Sequence, residues 1–150
     1  MKKISTCSLF LLLLVVIFTF PGCSARNAIS ADTFQKEAKA SGYTVKQSTS
    51  TNTNVESCYT GTTSSKDDEL DYISTSTESS AQEIYNSMKE SISVGNGNPK
   101  NVDSSSYSKY VVTNGELYYV LVRVDKTVIY AKTTSSNKAT VDKFFSAIKY

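Results

Sequence analysis

The chain has 150 residues, with 16 Lys and Arg against 14 Asp and Glu, no His, no Trp and 3 Cys. That length suits one domain with a core of its own, and a net charge of +2 is too small to neutralise a row of phosphates, which excludes a nucleic-acid partner. The absence of His removes the commonest general base and metal ligand, which excludes Ser-His-Asp chemistry and most zinc sites; no metal or cofactor is expected.

In chain order, Lys2 and Lys3 precede an unbroken apolar run from Leu9 to Phe18, continued past Thr19 to Phe20. The run fits the apolar region of a secretory signal and falls short of the roughly 20 residues a membrane-spanning helix needs. It has no polar face, so it does not read as a core helix. Pro21 and Gly22 break any helix there, directly before Cys23.

The segment Phe20-Pro21-Gly22-Cys23-Ser24 resembles a bacterial lipobox. The resemblance implies that residues 1–22 are a lipoprotein signal peptide, cut away before Cys23, whose thiol carries a diacylglycerol. Residues 23–31 are then the anchored Cys and a linker, and the membrane partner is reached through lipid on Cys23, on the extracytoplasmic side of the cell membrane. Two acyl chains hold firmly where one holds marginally, at about 0.8 kcal/mol per buried CH₂. Ordinary secretion after cleavage at Ala25 is the alternative, because Cys23-Ser24-Ala25 is also a small-residue site. With Cys7 lost and Cys23 lipidated, Cys58 stands alone and reads as a small hydrophobe rather than a nucleophile. If Cys23 is retained free, a Cys23–Cys58 bridge is open.

Residues 32–150 are expected to form a single α+β domain. A first helix begins at Asp32, with Gln35 as capping-box partner, buries Phe34 and Ala38, and stops at Gly42. Weaker strands follow at Tyr43–Gln47, Val55–Thr60 and Leu70–Thr75. A second helix opens at Ser80 with Glu83 and stripes Ala81, Ile84, Tyr85, Met88 and Ile92 along one side. Strands at Tyr107–Thr113 and Glu116–Val124 flank Asn114-Gly115, a strong hairpin signal, and Thr127–Lys132 completes a three-strand meander. A third helix from about Asn137 spaces Val141, Phe144, Phe145 and Ile148 at i, i+3, i+4, i+7. The order is helix, strands, helix, three-strand meander, helix, read as an antiparallel sheet with the helices packed on one face.

With two-residue turns, Tyr118, Val120, Val122 and Val124 share a sheet face with Tyr107, Val111, Ile129 and Ala131. The other face sets Tyr110 beside Tyr119 and Leu121 beside Tyr130, with Arg123 and Lys132 among them. Tyrosine offers large contact area with a polar tip, so Tyr110, Tyr119, Tyr130, Arg123 and Lys132 are the candidate binding residues, against the alternative of a half-solvated face stabilised by its own cross-strand pairs. The acidic run Lys66-Asp67-Asp68-Glu69-Leu70-Asp71 lacks calcium-loop spacing and reads as a solvated turn. Gly95-Asn96-Gly97-Asn98-Pro99 is a flexible loop without the Lys-Ser/Thr of a phosphate loop.

The body also resembles a group of small clostridial-type bacterial lipoproteins with one α+β domain. The likeness rests on Phe34 to Val45, on Asn114 to Val120, on Arg123 to Ala131, and on the helix closing at Tyr150. It implies fold and location. The function expected is non-enzymatic: a membrane-anchored surface domain binding a peptide, protein or envelope glycan. The alternatives are a carboxylate-based hydrolase of envelope polymers, which needs two acids converging in a cleft, and a purely structural or assembly lipoprotein. Without Lys2 and Lys3 the chain balances at 14 basic and 14 acidic residues, so membrane attachment would come from lipid rather than from a basic patch.

Overall fold

A computed structural model describes residues 26–65 and 67–150. Cys7, the lipobox with Cys23, and Lys66 lie outside the described residues. Helix α1 spans Ala31–Ala40 and is capped by Ser30, whose Oγ accepts from the Thr33 amide at 3.2 Å. Asp32, expected as the cap, instead sits in the first turn, where its charge favours the helix dipole. Gly42 ends the helix at φ +91°, a backbone that a side chain disfavours.

Three strands follow, β1 (Thr44–Ser48), β2 (Val55–Thr62) and β3 (Glu69–Thr75), then helix α2 (Glu78–Ser91). The cap of α2 is Thr77, whose Oγ1 accepts from the amide of Ser80 three residues on, so the helix starts earlier than the Ser80–Glu83 pair suggests. The chain continues through β4 (Lys100–Asp103), β5 (Tyr107–Asn114), β6 (Leu117–Val124) and β7 (Thr127–Thr134), and a short 3₁₀ turn at Ser135–Asn137 leads into α3 (Lys138–Ala147).

The seven strands make one sheet in the order β1-β2-β3-β7-β6-β5-β4, and every neighbouring pair is antiparallel. Two meanders, β1–β3 and β4–β7, therefore meet at the β3–β7 seam. The α+β class and the antiparallel sheet hold, and the expected elements occur in the expected order, with β4 an additional edge strand that makes the expected three-strand meander four-stranded. The β6–β7 register follows the two-residue Asp125-Lys126 turn. The β5–β6 turn is Gly115-Glu116 rather than Asn114-Gly115, because Asn114 pairs with Leu117. This shift moves each partner by two residues and leaves every side chain on its expected face.

One face is built as expected. Val120, Val122, Val124, Ile129 and Ala131 are buried there beneath α1 and α3, with Phe34 and Phe144. The Phe34 ring lies 5.2 Å from Tyr72 and 5.8 Å, edge-on, from Phe144, so one aromatic cluster ties α1, β3 and α3 together at about 0.5–1.5 kcal/mol per pair beyond area burial.

The helices do not all lie on that face. Helix α2 covers the opposite side, where Ala81, Tyr85 and Ile92 pack with Tyr110, Val112, Leu121 and Val128. Topology requires a long crossing here. The chain must pass from β3 to the far edge at β4, four strand spacings or roughly 19 Å, and a 14-residue helix is roughly 21 Å long. The expectation of one covered face is corrected by Val120-Leu121-Val122 and Val128-Ile129: these are unbroken apolar runs, which both faces of a central strand bury. Among the described residues, no helix is long and apolar enough to cross a membrane.

Candidate binding groove

The five sequence-predicted binding residues share one sheet face, but α2 divides them. Tyr110 is 4% exposed and Arg123 1%. Tyr110 sits opposite Leu121, not beside Tyr119, which faces Val112. Lys89 of α2 stands 5.3 Å over the Tyr110 ring and donates to Asn101 Oδ1 at 3.2 Å, closing that end. Arg123 Nη2 donates to the carbonyls of Ser104 (2.9 Å) and Ser105 (3.0 Å) and to Ser108 Oγ (3.2 Å). It is a clamp on the β4–β5 turn rather than a surface group.

Tyr119, Tyr130 and Lys132 are half-buried at the margin left open by α2. They continue across the seam, Lys132 opposite Glu69 and Tyr130 opposite Asp71, with Thr60 next in line. Burial, aided by the Glu69 carboxylate and opposed by the Thr60 hydroxyl, pushes the Asp71 acid up to about 6. Burial and Asp71 also raise the thiol of half-buried Cys58, which keeps it in the protonated, unreactive form. The acidic run is not uniformly solvated either: Asp68 is buried and accepts from Thr63 (2.8 Å) and Thr133 (2.6 Å). Among the described residues, no group of three or more Cys, Asp and Glu is placed to hold a metal ion.

A groove lies elsewhere, on the α1–α3 face, where α3 leaves the last two strands uncovered. One cavity of about 310 Å³ has Val111 and Val120 as floor, with Tyr118, Phe145 and Lys109 around it. A second of about 210 Å³ shares Val111 and Tyr118 and extends the groove past Lys100 and Lys138. Val102, 55% exposed and the one exposed large hydrophobic side chain among the described residues, lies opposite Lys109 on β4, beside the groove.

The charges in the groove are unequally used. Asp142 accepts from the Tyr118 hydroxyl at 2.7 Å and pairs with Lys138 one helical turn away. Burial alone would raise Asp142, but the bonds from Lys138 and Tyr118 outweigh it and hold the acid below the usual carboxylate range. Burial and the Asp142 acceptor raise the Tyr118 phenol. Lys138 also stands 4.6 Å over the Tyr118 ring. Lys109 is held below the usual lysine range, first by burial and then by Arg26 and Lys138. Its Nζ donates to the main-chain oxygen of Tyr150 at 3.2 Å and lies 5.7 Å from the Phe145 ring. Among the described residues, neither Lys109 nor Lys100 has an Asp or Glu carboxylate within ion-pair reach.

Sequence reasoning missed this groove because its residues come from the face assigned wholly to the core. The available signal was Lys109, a charge standing between Tyr107 and Val111 on an otherwise apolar face.

No protein-family model matches the chain, and no curated protein matches it. Among solved structures, it is similar to a crystal structure described as a GTP binding regulator from Thermotoga maritima. The TM-score is 0.51 at 13% identity, covering 80% of this chain and 87% of that one. That likeness is one of fold.

Proposed function

We propose that the chain is a lipid-anchored extracytoplasmic domain that binds, without chemistry, a peptide or protein segment carrying apolar and acidic side chains. The signal-like run and the Gly22-Cys23 step support the anchor. The observation that carries the binding reading is the groove between α3 and β5. Its floor is apolar, its Asp142 side chain is already taken by Lys138 and Tyr118, and Lys100 and the donors of Lys109 not given to Tyr150 remain to meet a carboxylate from outside. A partly desolvated cation beside an apolar floor favours such a ligand over a neutral glycan.

The test is selection of displayed octapeptides on the purified mature chain. Enrichment of acidic-apolar sequences, and a loss of at least tenfold in their affinity in Lys109→Glu, are the expected results. Selection that ignores Lys109→Glu, or capture of envelope glycans in preference to peptides, overturns the reading. For the anchor, Cys23→Ala is expected in the medium, and continued membrane retention would reject it.

A hydrolytic reading draws on Asp71 alone, an acid raised to about 6 beside Glu69. General acids are tuned in this way, but neither carboxylate lines the cavities of the groove. Release of reducing ends from envelope polymer, abolished by Asp71→Asn, would be needed to support it.

A further inference from the structure

We infer that one end of the sheet is pressed against the lipid headgroups, with the segment before α1 acting as a strap that fixes this orientation; the inference rests on lipidation of Cys23. Residues 26–30 do not hang free as a linker. The Tyr150 hydroxyl accepts from the Ile29 amide at 2.7 Å and donates to the Asn27 carbonyl at 3.0 Å. Tyr72 donates to the Ile29 carbonyl at 3.1 Å, and the Arg26 guanidinium stacks 4.2 Å over the Tyr107 ring. Tyr72 and Tyr150 are themselves buried. The chain is thus fastened to the domain from Arg26 onward.

Three residue steps separate Cys23 from Arg26, and an extended chain spans at most about 11 Å over them. A lipid on Cys23 would therefore hold Arg26 close to the headgroup layer. The loops at this end are laced to one another: the Asp125 amide donates to Ser106, Thr75 to Lys126, and Ser76 to Asn54. Their surface offers Ser104, Ser105, Ser106, Ser76 and Asn54, all exposed, and carries charges of both signs, Arg26, Lys126 and Lys149 with Asp125, Asp103 and Glu78. Hydroxyls, amides and mixed charges suit phosphate and glycerol groups, and among the described residues no large apolar side chain is exposed there to enter the acyl region. The groove opens along the side of the domain, where a ligand reaches it without crossing the lipid.

The test uses the mature lipidated protein in vesicles of phosphatidylglycerol and phosphatidylethanolamine, with Cys58→Ser to remove the native thiol. A nitroxide is placed at Ser105→Cys or, about 25 Å away along β6, at Glu116→Cys. Relaxation by nickel-chelating headgroups is expected to be at least fivefold stronger at position 105, and Tyr150→Phe, which frees the strap, is expected to bring the two towards equality. Equal relaxation at both sites in protein whose mass shows the diacylglyceryl group overturns the orientation and leaves the anchor standing. A ratio unmoved by Tyr150→Phe overturns the strap. A mass without lipid, or nitroxide coupled to Cys23, overturns the anchor and this inference with it.

Discussion

The Tyr118 hydroxyl reaches Asp142 across 24 residues of sequence, at 2.7 Å, and so pins α3 to the centre of the sheet. Tyr118→Phe keeps the packing and removes this bond. Asp142 remains open to water, so the loss is expected near the low end of the usual range, about 0.5–1 kcal/mol, read as a shift of a few degrees in Tm. Because the folded acid is held below its ordinary range, its contribution is complete above the unfolded carboxylate pKa. It disappears as pH falls through the lower folded value. A wild-type and Tyr118→Phe pair whose Tm difference persists unchanged to the acid end would contradict this.

Asp71 has the opposite sign. With its folded pKa raised from 3.8 to about 6, the native state holds a proton that the unfolded chain has already released between those values. Stability from this group is therefore full in acid and lost as pH rises through about 6. Asp71→Asn keeps shape without charge, and is expected to raise stability at pH 8 by on the order of 1–3 kcal/mol while changing little at pH 4. Chemical denaturation at the two values checks it; a larger gain at pH 4 would reverse the assignment.

Arg123 and Tyr85 are both buried with an unpartnered polar atom, the Nε of one and the hydroxyl of the other, yet their removal should differ. Arg123→Leu strips the carbonyls of Ser104 and Ser105 of their donor and is expected to cost about 3 kcal/mol, with faster amide exchange across residues 104–108. Tyr85→Phe deletes a hydroxyl that has no protein partner and is expected to be neutral or to stabilise by up to about 1 kcal/mol. A heavy loss in Tyr85→Phe would show that the hydroxyl is bound by something further, for which an ordered water is the natural candidate.

Gly97 closes the loop before β4. A Cβ there would clash with the Thr113 carbonyl oxygen and stand 2.9 Å from that of Val94. Both neighbours are backbone, so Gly97→Ala must shift the loop itself. A loss of about 1–3 kcal/mol is expected, with weaker peptide binding at the Lys100 end of the groove. Wild-type stability in the alanine variant would mean that the loop is free of β5.

Much of this was legible in the sequence, for identifiable reasons. The stripe Val141, Phe144, Phe145, Ile148 and the alternation of Tyr118, Val120, Val122 and Val124 each follow one period cleanly, and the corresponding helix and strand faces are where those periods place them. Strand β4 was not legible. Lys100, Asn101, Val102 and Asp103 are all exposed, so no burial pattern was imposed on them, and charge near an edge strand is what keeps it from pairing further. The second covered face was legible only in the unbroken runs through Leu121 and Val128. The strap was hidden for another reason: Arg26, Asn27 and Ile29 are held by Tyr107, Tyr150 and Tyr72, partners as far as 123 residues away. The groove combines Lys109 with Phe145 and Tyr118 with Asp142, pairings that only the packing of α3 creates.

The seam between β3 and β7 decides how the molecule comes together. Glu69 pairs with Lys132 and Ser74 with Thr127, so the middle of the sheet is its least local pairing, while each meander on either side closes over short turns. Contacts of such separation form late, because the chain between them must be gathered first. The strand that completes the centre is also the last to be synthesised. Neither meander holds a finished core alone, since Phe34 of α1, ahead of the first, is buried against Phe144 of α3, beyond the second. A chain cut before Thr127 would therefore leave no smaller domain behind, and the body should gain or lose its structure in one cooperative step.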